Sequence, residues 1–119
     1  MATQALQDAK EALESLDTER ILSIYHDAFL FEDLPSGARI TERPALEAYF
    51  RSLFALPDIA FTEVNVHEAP TFAVIEWTWS GTSQSSGKRY EVRGASVVEL
   101  AGDKIARETL YYDPRAALS

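Results

Sequence analysis

The first third of the chain carries hydrophobic residues at helical spacing. Apolar side chains recur every three or four positions, with charged residues between them, at Leu6, Ala9, Leu13 and Leu16. This spacing predicts an amphipathic helix. Asp17 then resembles the N-cap of a second, shorter helix, which we expect to continue as far as Tyr25.

A third helix is predicted after a short extended segment. Residues 29–31 read as a brief strand, and the turn-forming residues Asp33, Pro35 and Gly37 end it. Pro44 suits the first turn of a helix. The apolar residues that follow have i, i+3, i+4, i+7, i+8 spacing and are Leu46, Tyr49, Phe50, Leu53 and Phe54. Pro57 then ends the predicted helix.

Beyond Pro57 the hydrophobic period changes from helical to alternating. Four strands are predicted, over residues 61–67, 72–79, 90–100 and 105–112. A Gly102-Asp103 hairpin turn joins the last two. Helices followed by a meander indicate an α+β fold, in which three N-terminal helices pack on a strongly curved antiparallel sheet. We expect residues 1–119 to form one domain, a cone-shaped α+β barrel that encloses an apolar pocket.

Alternation also sorts the strand residues into a pocket face and an outer face. Trp77 and Trp79 share one face, and Thr109, Tyr111 and Asp113 share another. Both faces of the predicted sheet are substantially apolar. A sheet of this kind needs cover on both sides, so we expect a homodimer through the outer face.

The charge of the chain excludes several classes of partner. It has 11 basic and 19 acidic residues, a formal net charge of −8, and no basic stripe, which argues against binding to nucleic acid or to anionic membranes. It has no cysteine, and no histidine or carboxylate cluster has metal-ligand spacing, so we expect no metal site. No leader or membrane-spanning pattern is evident, which predicts a cytoplasmic protein.

Two segments resemble a known superfamily. YHDAFLFEDLPSGARITERPALEAYF, residues 25–50, resembles the ketosteroid isomerase segment that carries the general base, which falls on Asp33. KIARETLYYD, residues 104–113, is similar to the last strand of SnoaL-like polyketide cyclases and limonene epoxide hydrolase, whose catalytic aspartate falls on Asp113. With the order of elements, these segments identify the chain as similar to the nuclear-transport-factor-2-like superfamily over nearly its whole length.

The resemblance implies a cofactor-independent acid/base site. Asp33 and Asp113 would transfer protons inside an apolar cavity, which would raise the pKa of a carboxyl there. The oxyanion-hole positions of the isomerase fall on Ala9 and Ala95, which donate no hydrogen bond. Arg93 or a tyrosine hydroxyl would then steady a developing oxyanion. The residues expected to contact a ligand are Tyr25, Phe50, Trp77, Trp79, Val97 and Tyr111.

Two functions remain open on the sequence. One is acid/base proton transfer on a small apolar carbonyl-bearing molecule, of the isomerase, cyclase or dehydratase type. The other is a non-catalytic module of the same fold, which binds a small molecule or another protein, because this fold supports many activities. On the second interpretation Asp33 and Asp113 are turn residues, and the tryptophans are ordinary core.

Overall fold

The computed structural model describes residues 4–118, which form an α+β fold. Its elements, in chain order, are α1 (Gln4–Ser15), α2 (Thr18–Leu22), β1 (Tyr25–Asp33), β2 (Ala38–Ile40), α3 (Arg43–Phe54), β3 (Ala60–Glu68), β4 (Phe72–Thr82), β5 (Arg89–Ala101), β6 (Lys104–Tyr112) and α4 (Arg115–Leu118). The predicted architecture of helices on a curved sheet is confirmed.

The six strands form one open sheet in the order β2-β1-β6-β5-β4-β3. The meander from β3 to β6 is antiparallel, as predicted, and β1 joins β6 in parallel. Register shifts interrupt three ladders, β1 with β6, β3 with β4 and β5 with β6. Such bulges bend a strand and increase its twist, which curves the sheet around the helices.

The segment after α2 differs from the sequence prediction. The helix ends at Leu22, and Tyr25 opens a nine-residue strand where the prediction continued the helix. Strand β2 was not predicted either. The backbone of this region is held by distant partners, such as the Ile105 amide that donates to the Ile24 carbonyl at 2.8 Å. Hydrophobic periodicity reports local spacing only, and therefore did not reveal this pairing.

The helices close the concave side of the sheet. Helix α1 buries Leu6 and Ala9, and α3 buries Leu46 and Phe50, in agreement with the predicted apolar faces. The Asp17 side chain caps α2 by accepting from the Arg20 amide at 3.1 Å, as expected. No helix within residues 4–118 is long and apolar enough to cross a membrane.

Candidate functional site

A cavity of about 530 Å³ lies between the concave face of the sheet and the helices. Its lining is mostly aliphatic and aromatic, and a few polar side chains interrupt it. Ala45, Ala48 and Ser52 of α3 are lining residues that are also exposed, so the cavity opens to solvent beside α3. A pocket of this size and composition is typical of small-molecule sites.

Asp33 is a buried carboxyl on the wall of this cavity. It ends β1 and is only 2% exposed. The Tyr49 hydroxyl donates to Oδ2 at 2.7 Å, and the Tyr112 hydroxyl donates to Oδ1 at 2.7 Å and to Oδ2 at 2.9 Å. The Ser36 amide also donates to Oδ1, at 3.3 Å, so the same side chain organises the turn into β2. Asp33 therefore combines the turn role with a place in the pocket.

The two tyrosines that contact Asp33 are held in their protonated form. Burial raises the pKa of Tyr49, and the hydrogen bond to Asp33 and the Asp33 charge raise it further. The pKa of Tyr112 is raised by the same causes in the same order. Both hydroxyls therefore act as hydrogen-bond donors across the physiological pH range.

A second carboxyl, Glu108 of β6, lines the same cavity and is 8% exposed. The Tyr25 hydroxyl donates to its Oε1. The pKa of Glu108 is raised by desolvation, which the hydroxyls of Tyr25 and Ser96 partly offset. Ser96 in turn accepts from Trp77 Nε1 at 3.2 Å. Glu108 is thus the centre of a buried hydroxyl network at the cavity wall.

The strand register brings the two carboxyls together. Glu108 is the partner of Phe31, and Leu110 is the partner of Asp33, in the parallel β1–β6 pair. From the strand rise and spacing, the Cα atoms of Asp33 and Glu108 lie about 8 Å apart. The Glu108 charge also contributes to the raised pKa of Tyr49, which directly contacts Asp33. Both carboxyls therefore raise the pKa of the same tyrosine.

Several predicted site residues line the cavity together with Asp33 and Glu108. Tyr25, Phe50, Trp77 and Trp79 all line the cavity together with Asp33. The two tryptophan rings lie 5.8 and 5.9 Å from the Tyr112 ring, which connects them to the Asp33 side of the pocket.

Within residues 4–118, no group of three or more carboxylates or histidines is placed to hold a metal ion.

The other predicted residues lie outside the cavity. Side chains of β6 alternate, with Leu110 and Tyr112 directed inwards, so Tyr111 points outwards and is 52% exposed. On β5, Ser96 lines the cavity, which places Arg93 and Val97 on the opposite face. The prediction that Arg93, Val97 and Tyr111 line the pocket is therefore wrong.

Asp113 is also outside the cavity, so the prediction that it lies in an apolar pocket is wrong. It is exposed, and Arg115 donates to it from Nη2 to Oδ2 at 2.6 Å and from Nε at 2.9 and 3.0 Å. This hydrogen bonding lowers the pKa of Asp113, whereas an apolar cavity would raise it. The residue behaves as a solvated strand-end carboxylate.

Sequence reasoning did not select Glu108, Tyr49, Tyr112 or Ser96 as site residues. Tyr49 fits the apolar face of α3, where its hydroxyl gave no separate signal. Ile105 and Glu108 both face the cavity, although they are three residues apart. The reason is a shift in the β5–β6 ladder between Glu99 and Leu100, which leaves one extra residue on β6. Strict alternation from Ile105 assigns Glu108 to the outer face, and no local pattern reveals the bulge.

Comparisons with known proteins agree with the fold. An NTF2-like protein from Burkholderia thailandensis matches with a TM-score of 0.85 at 22% identity, over 100% of this chain and 99% of that chain. A hypothetical protein with a ketosteroid isomerase-like fold from Catenulispora acidiphila, solved in complex with trimethylamine, matches with a TM-score of 0.84 at 16% identity, over 99% of this chain and 92% of that chain.

A third structure, described as a candidate polyketide cyclase from Pseudomonas putida, matches with a TM-score of 0.80 at 17% identity, over 96% of this chain and 92% of that chain. At these identities the structures establish the fold alone. No curated protein matches the sequence significantly. The model of the SnoaL-like domain matches residues 6–108, most of the chain. The resemblance noted from the sequence is thereby confirmed, and the chain belongs to the SnoaL-like domain family.

Proposed function

We propose that the cavity binds a small, largely apolar molecule that carries a carbonyl group, and that Asp33 moves a proton on that molecule. One observation carries the proposal. Asp33 is 2% exposed, lies on the wall of an apolar cavity, and is bonded by two tyrosine hydroxyls. A carboxylate that water reaches poorly and that is positioned by fixed partners suits general-base catalysis.

The proposed reaction begins with removal of a proton from the carbon next to the carbonyl. Asp33 takes the proton, the C–H bond breaks, and its electron pair moves onto the carbonyl oxygen as an enolate. Protonation removes the negative charge of Asp33, which weakens its bonds from Tyr49 and Tyr112. One of these hydroxyls can then donate to the enolate oxygen, and so takes the role of the absent oxyanion-hole donors.

The second half of the reaction returns the same proton to another carbon of the conjugated system. The carbonyl is restored, Asp33 becomes negative again, and both hydroxyls bond to it once more. Atoms and charge balance without a cofactor, and the net change is an isomerisation. Trp77, Trp79 and Phe50 would hold the apolar body of the ligand and limit access of water.

Proton abstraction can be tested before the natural substrate is known. Cyclic ketones are incubated with the protein in D₂O, and proton NMR follows exchange at the carbon next to the carbonyl. Isomerisation of 3-cyclohexen-1-one to its conjugated isomer is followed in parallel by ultraviolet absorbance. We expect Asp33→Asn to slow both processes by about 10²–10⁴-fold, the usual contribution of a general base.

Asp113→Asn is the matched control, because Asp113 is exposed and lies outside the cavity. We expect this variant to retain the rates of the wild type. The proposal is wrong if Asp33→Asn exchanges and isomerises the ketones as fast as the wild type, or if Asp113→Asn loses activity to the same extent.

A non-catalytic binding role is the second candidate function. Ala9 lines the cavity, and the resemblance to ketosteroid isomerase implies that an oxyanion donor is missing at this position, which favours binding without turnover. The complex of the Catenulispora acidiphila protein with trimethylamine supports the proposal that this fold can hold small organic molecules. Tight binding of a ketone with no exchange in D₂O, unchanged by Asp33→Asn, would favour this role.

We also propose that the outer face of the sheet forms a homodimer. Val74 pairs with Val97 and Ala95 pairs with Tyr111 across adjacent strands, so these side chains form one patch. Tyr111 is 52% exposed, as expected for an uncovered interface residue. Tyr111→Glu should shift the mass measured by light scattering from dimer to monomer, whereas Leu34→Glu, exposed elsewhere, should not. An unchanged mass for Tyr111→Glu contradicts this proposal.

A further inference from the structure

Glu108 is a buried titratable group that the proposed reaction does not use. It lines the cavity and is 8% exposed. Of the residues that line the cavity, the titratable ones are Tyr25, Asp33, Tyr49, Glu108 and Tyr112. Among residues 4–118, no lysine, arginine or histidine lines the cavity. A cation that entered the cavity would meet no like charge in this lining, and two carboxyls are available to pair with it.

Aromatic residues of the cavity wall lie next to Glu108. Tyr25, which bonds to its carboxyl, has its ring centroid 6.3 Å from that of Phe31 and 6.3 Å from that of Phe50. Phe31 is the direct neighbour of Glu108 in the parallel strand pair. Aromatic faces attract an organic cation, most strongly where water is excluded, and a nearby carboxylate adds to this attraction.

We propose that Glu108 is the anchor for an organic ammonium group, so the ligand class is an apolar molecule that carries a protonated or quaternary amine. This inference rests on the proposed function in one respect, that the cavity is the binding site. Asp33 remains the base of the proposed reaction. The ammonium group, held by Glu108, fixes the orientation of the ligand relative to Asp33. The cavity volume of about 530 Å³ accommodates a ligand of this kind.

The competing interpretation is that Glu108 is a neutral acid that only joins core hydrogen bonds. Burial raises the pKa of its carboxyl, which favours the neutral form in the empty cavity. An incoming cation would favour the carboxylate and release the proton of Glu108. A purely structural acid would neither prefer a cation nor release a proton when a ligand binds, so the two interpretations differ in measurable ways.

The experiment uses a pair of probes that differ in charge alone. Benzyltrimethylammonium and neopentylbenzene have the same shape, because a quaternary carbon replaces the quaternary nitrogen. The affinity of each probe for the wild type, Glu108→Gln and Asp33→Asn is measured by quenching of tryptophan fluorescence. Glu91→Gln is the matched control, since Glu91 is exposed on β5 and is not a lining residue.

We expect the wild type and Glu91→Gln to bind the cation at least about tenfold more tightly than its neutral isostere. Glu108→Gln should lose this preference and still bind the neutral probe. The inference is overturned if the wild type binds both probes equally, or if Glu108→Gln retains the preference. It is also wrong if Asp33→Asn, and not Glu108→Gln, abolishes the preference, since the cation would then pair with Asp33.

A measurement on the wild type alone keeps the inference testable if Glu108→Gln does not fold. Calorimetric titrations between pH 5 and 8, in buffers of different ionisation enthalpy, report protons released on binding. We expect release of a fraction of a proton with the cation and none with the neutral isostere. Equal release with both probes would contradict the inference.

The outcomes separate this inference from the proposed function. Ketone exchange that depends on Asp33, with no preference for the cation, removes the ammonium anchor and leaves the proposed reaction intact. A preference for the cation that depends on Glu108, with no ketone exchange, supports the anchor and removes the reaction. If neither probe nor any ketone binds, the cavity is not a binding site and both are wrong.

Discussion

The raised pKa of Glu108 predicts how the stability of the protein depends on pH. Desolvation raises this pKa above the ordinary value of 4.5, so the folded state holds the proton more tightly than the unfolded state. The stabilising effect of the protonated carboxyl is complete below about pH 4.5 and is lost as the pH rises through the pKa of the folded state. Replacing Glu108 with glutamine, which stays neutral, should remove this dependence.

The size of the effect follows from linkage. Between the pKa values of the unfolded and folded states, one proton separates the two, so the free energy of unfolding falls by about 1.4 kcal/mol per pH unit. For urea slopes of about 1–3 kcal/mol per M, the midpoint of the wild type falls by roughly 0.5–1.4 M per pH unit relative to Glu108→Gln. Above the folded-state pKa the difference should become constant.

The assay is urea denaturation of the wild type and Glu108→Gln from pH 4 to pH 8, followed by tryptophan fluorescence. Subtracting one free energy from the other cancels the contributions of the other carboxylates. Glu91→Gln controls for loss of a charge at an exposed position. A difference that is flat across this range, or that changes in favour of the wild type as the pH rises, would refute the reasoning.

Three further predictions concern packing, hydrogen bonding and capping. A Cβ at Gly94 would lie 2.5 Å from Cη2 of Trp77 and 2.8 Å from Cβ of Tyr112, so Gly94→Ala should cost about 1–3 kcal/mol of unfolding free energy; unchanged urea midpoints would contradict it. Tyr112→Phe removes a hydroxyl that is hydrogen-bonded to both oxygens of Asp33, and should lower the free energy of unfolding by about 1.5–3 kcal/mol. The control is Tyr111→Phe at the exposed neighbouring position, which should change the free energy of unfolding by less than about 0.5 kcal/mol in the same urea assay. Asp17→Ala removes the side-chain cap of α2 and should lower thermal stability by about 1 kcal/mol, measured by circular dichroism; Asp17→Ser, which can still cap, should retain most of it.

The helices and the meander could be predicted because their signals are local. The apolar spacing of α1 and α3 and the alternation of β3 to β6 are visible within short windows of sequence. The full length of β1 and the existence of β2 could not be predicted in this way. Strand β1 is extended because it pairs in parallel with β6, about 77–80 residues away along the chain, and only the folded structure creates that pairing.

The same difference between local and long-range signals explains why only part of the candidate site was predicted. Asp33 was predicted from its turn-forming neighbours and from the resemblance of its segment to ketosteroid isomerase, and both signals are local. Whether a residue of β6 faces the cavity depends on its register with β5, where a single extra residue reverses the alternation. Because side chains alternate with a period of two, an error of one residue in the register reverses the faces of the strand. The sequence prediction therefore placed Tyr111 and Asp113 in the cavity, whereas the structure places Glu108 and Tyr112 there.

The hydrogen-bond partners of each acid also distinguish the acids that line the cavity, Asp33 and Glu108, from the exposed acid Asp113. A carboxyl removed from water needs hydrogen-bond donors, and the inward positions supply hydroxyls, from Tyr112 for Asp33 and from Tyr25 for Glu108. The outward acid, Asp113, has the guanidinium of Arg115 two residues away, a pair that is adequate in solvent. An acid whose strand face also carries buried hydroxyls is therefore a stronger pocket candidate than an exposed acid whose carboxyl pairs with an arginine, and this criterion favours Glu108 over Asp113.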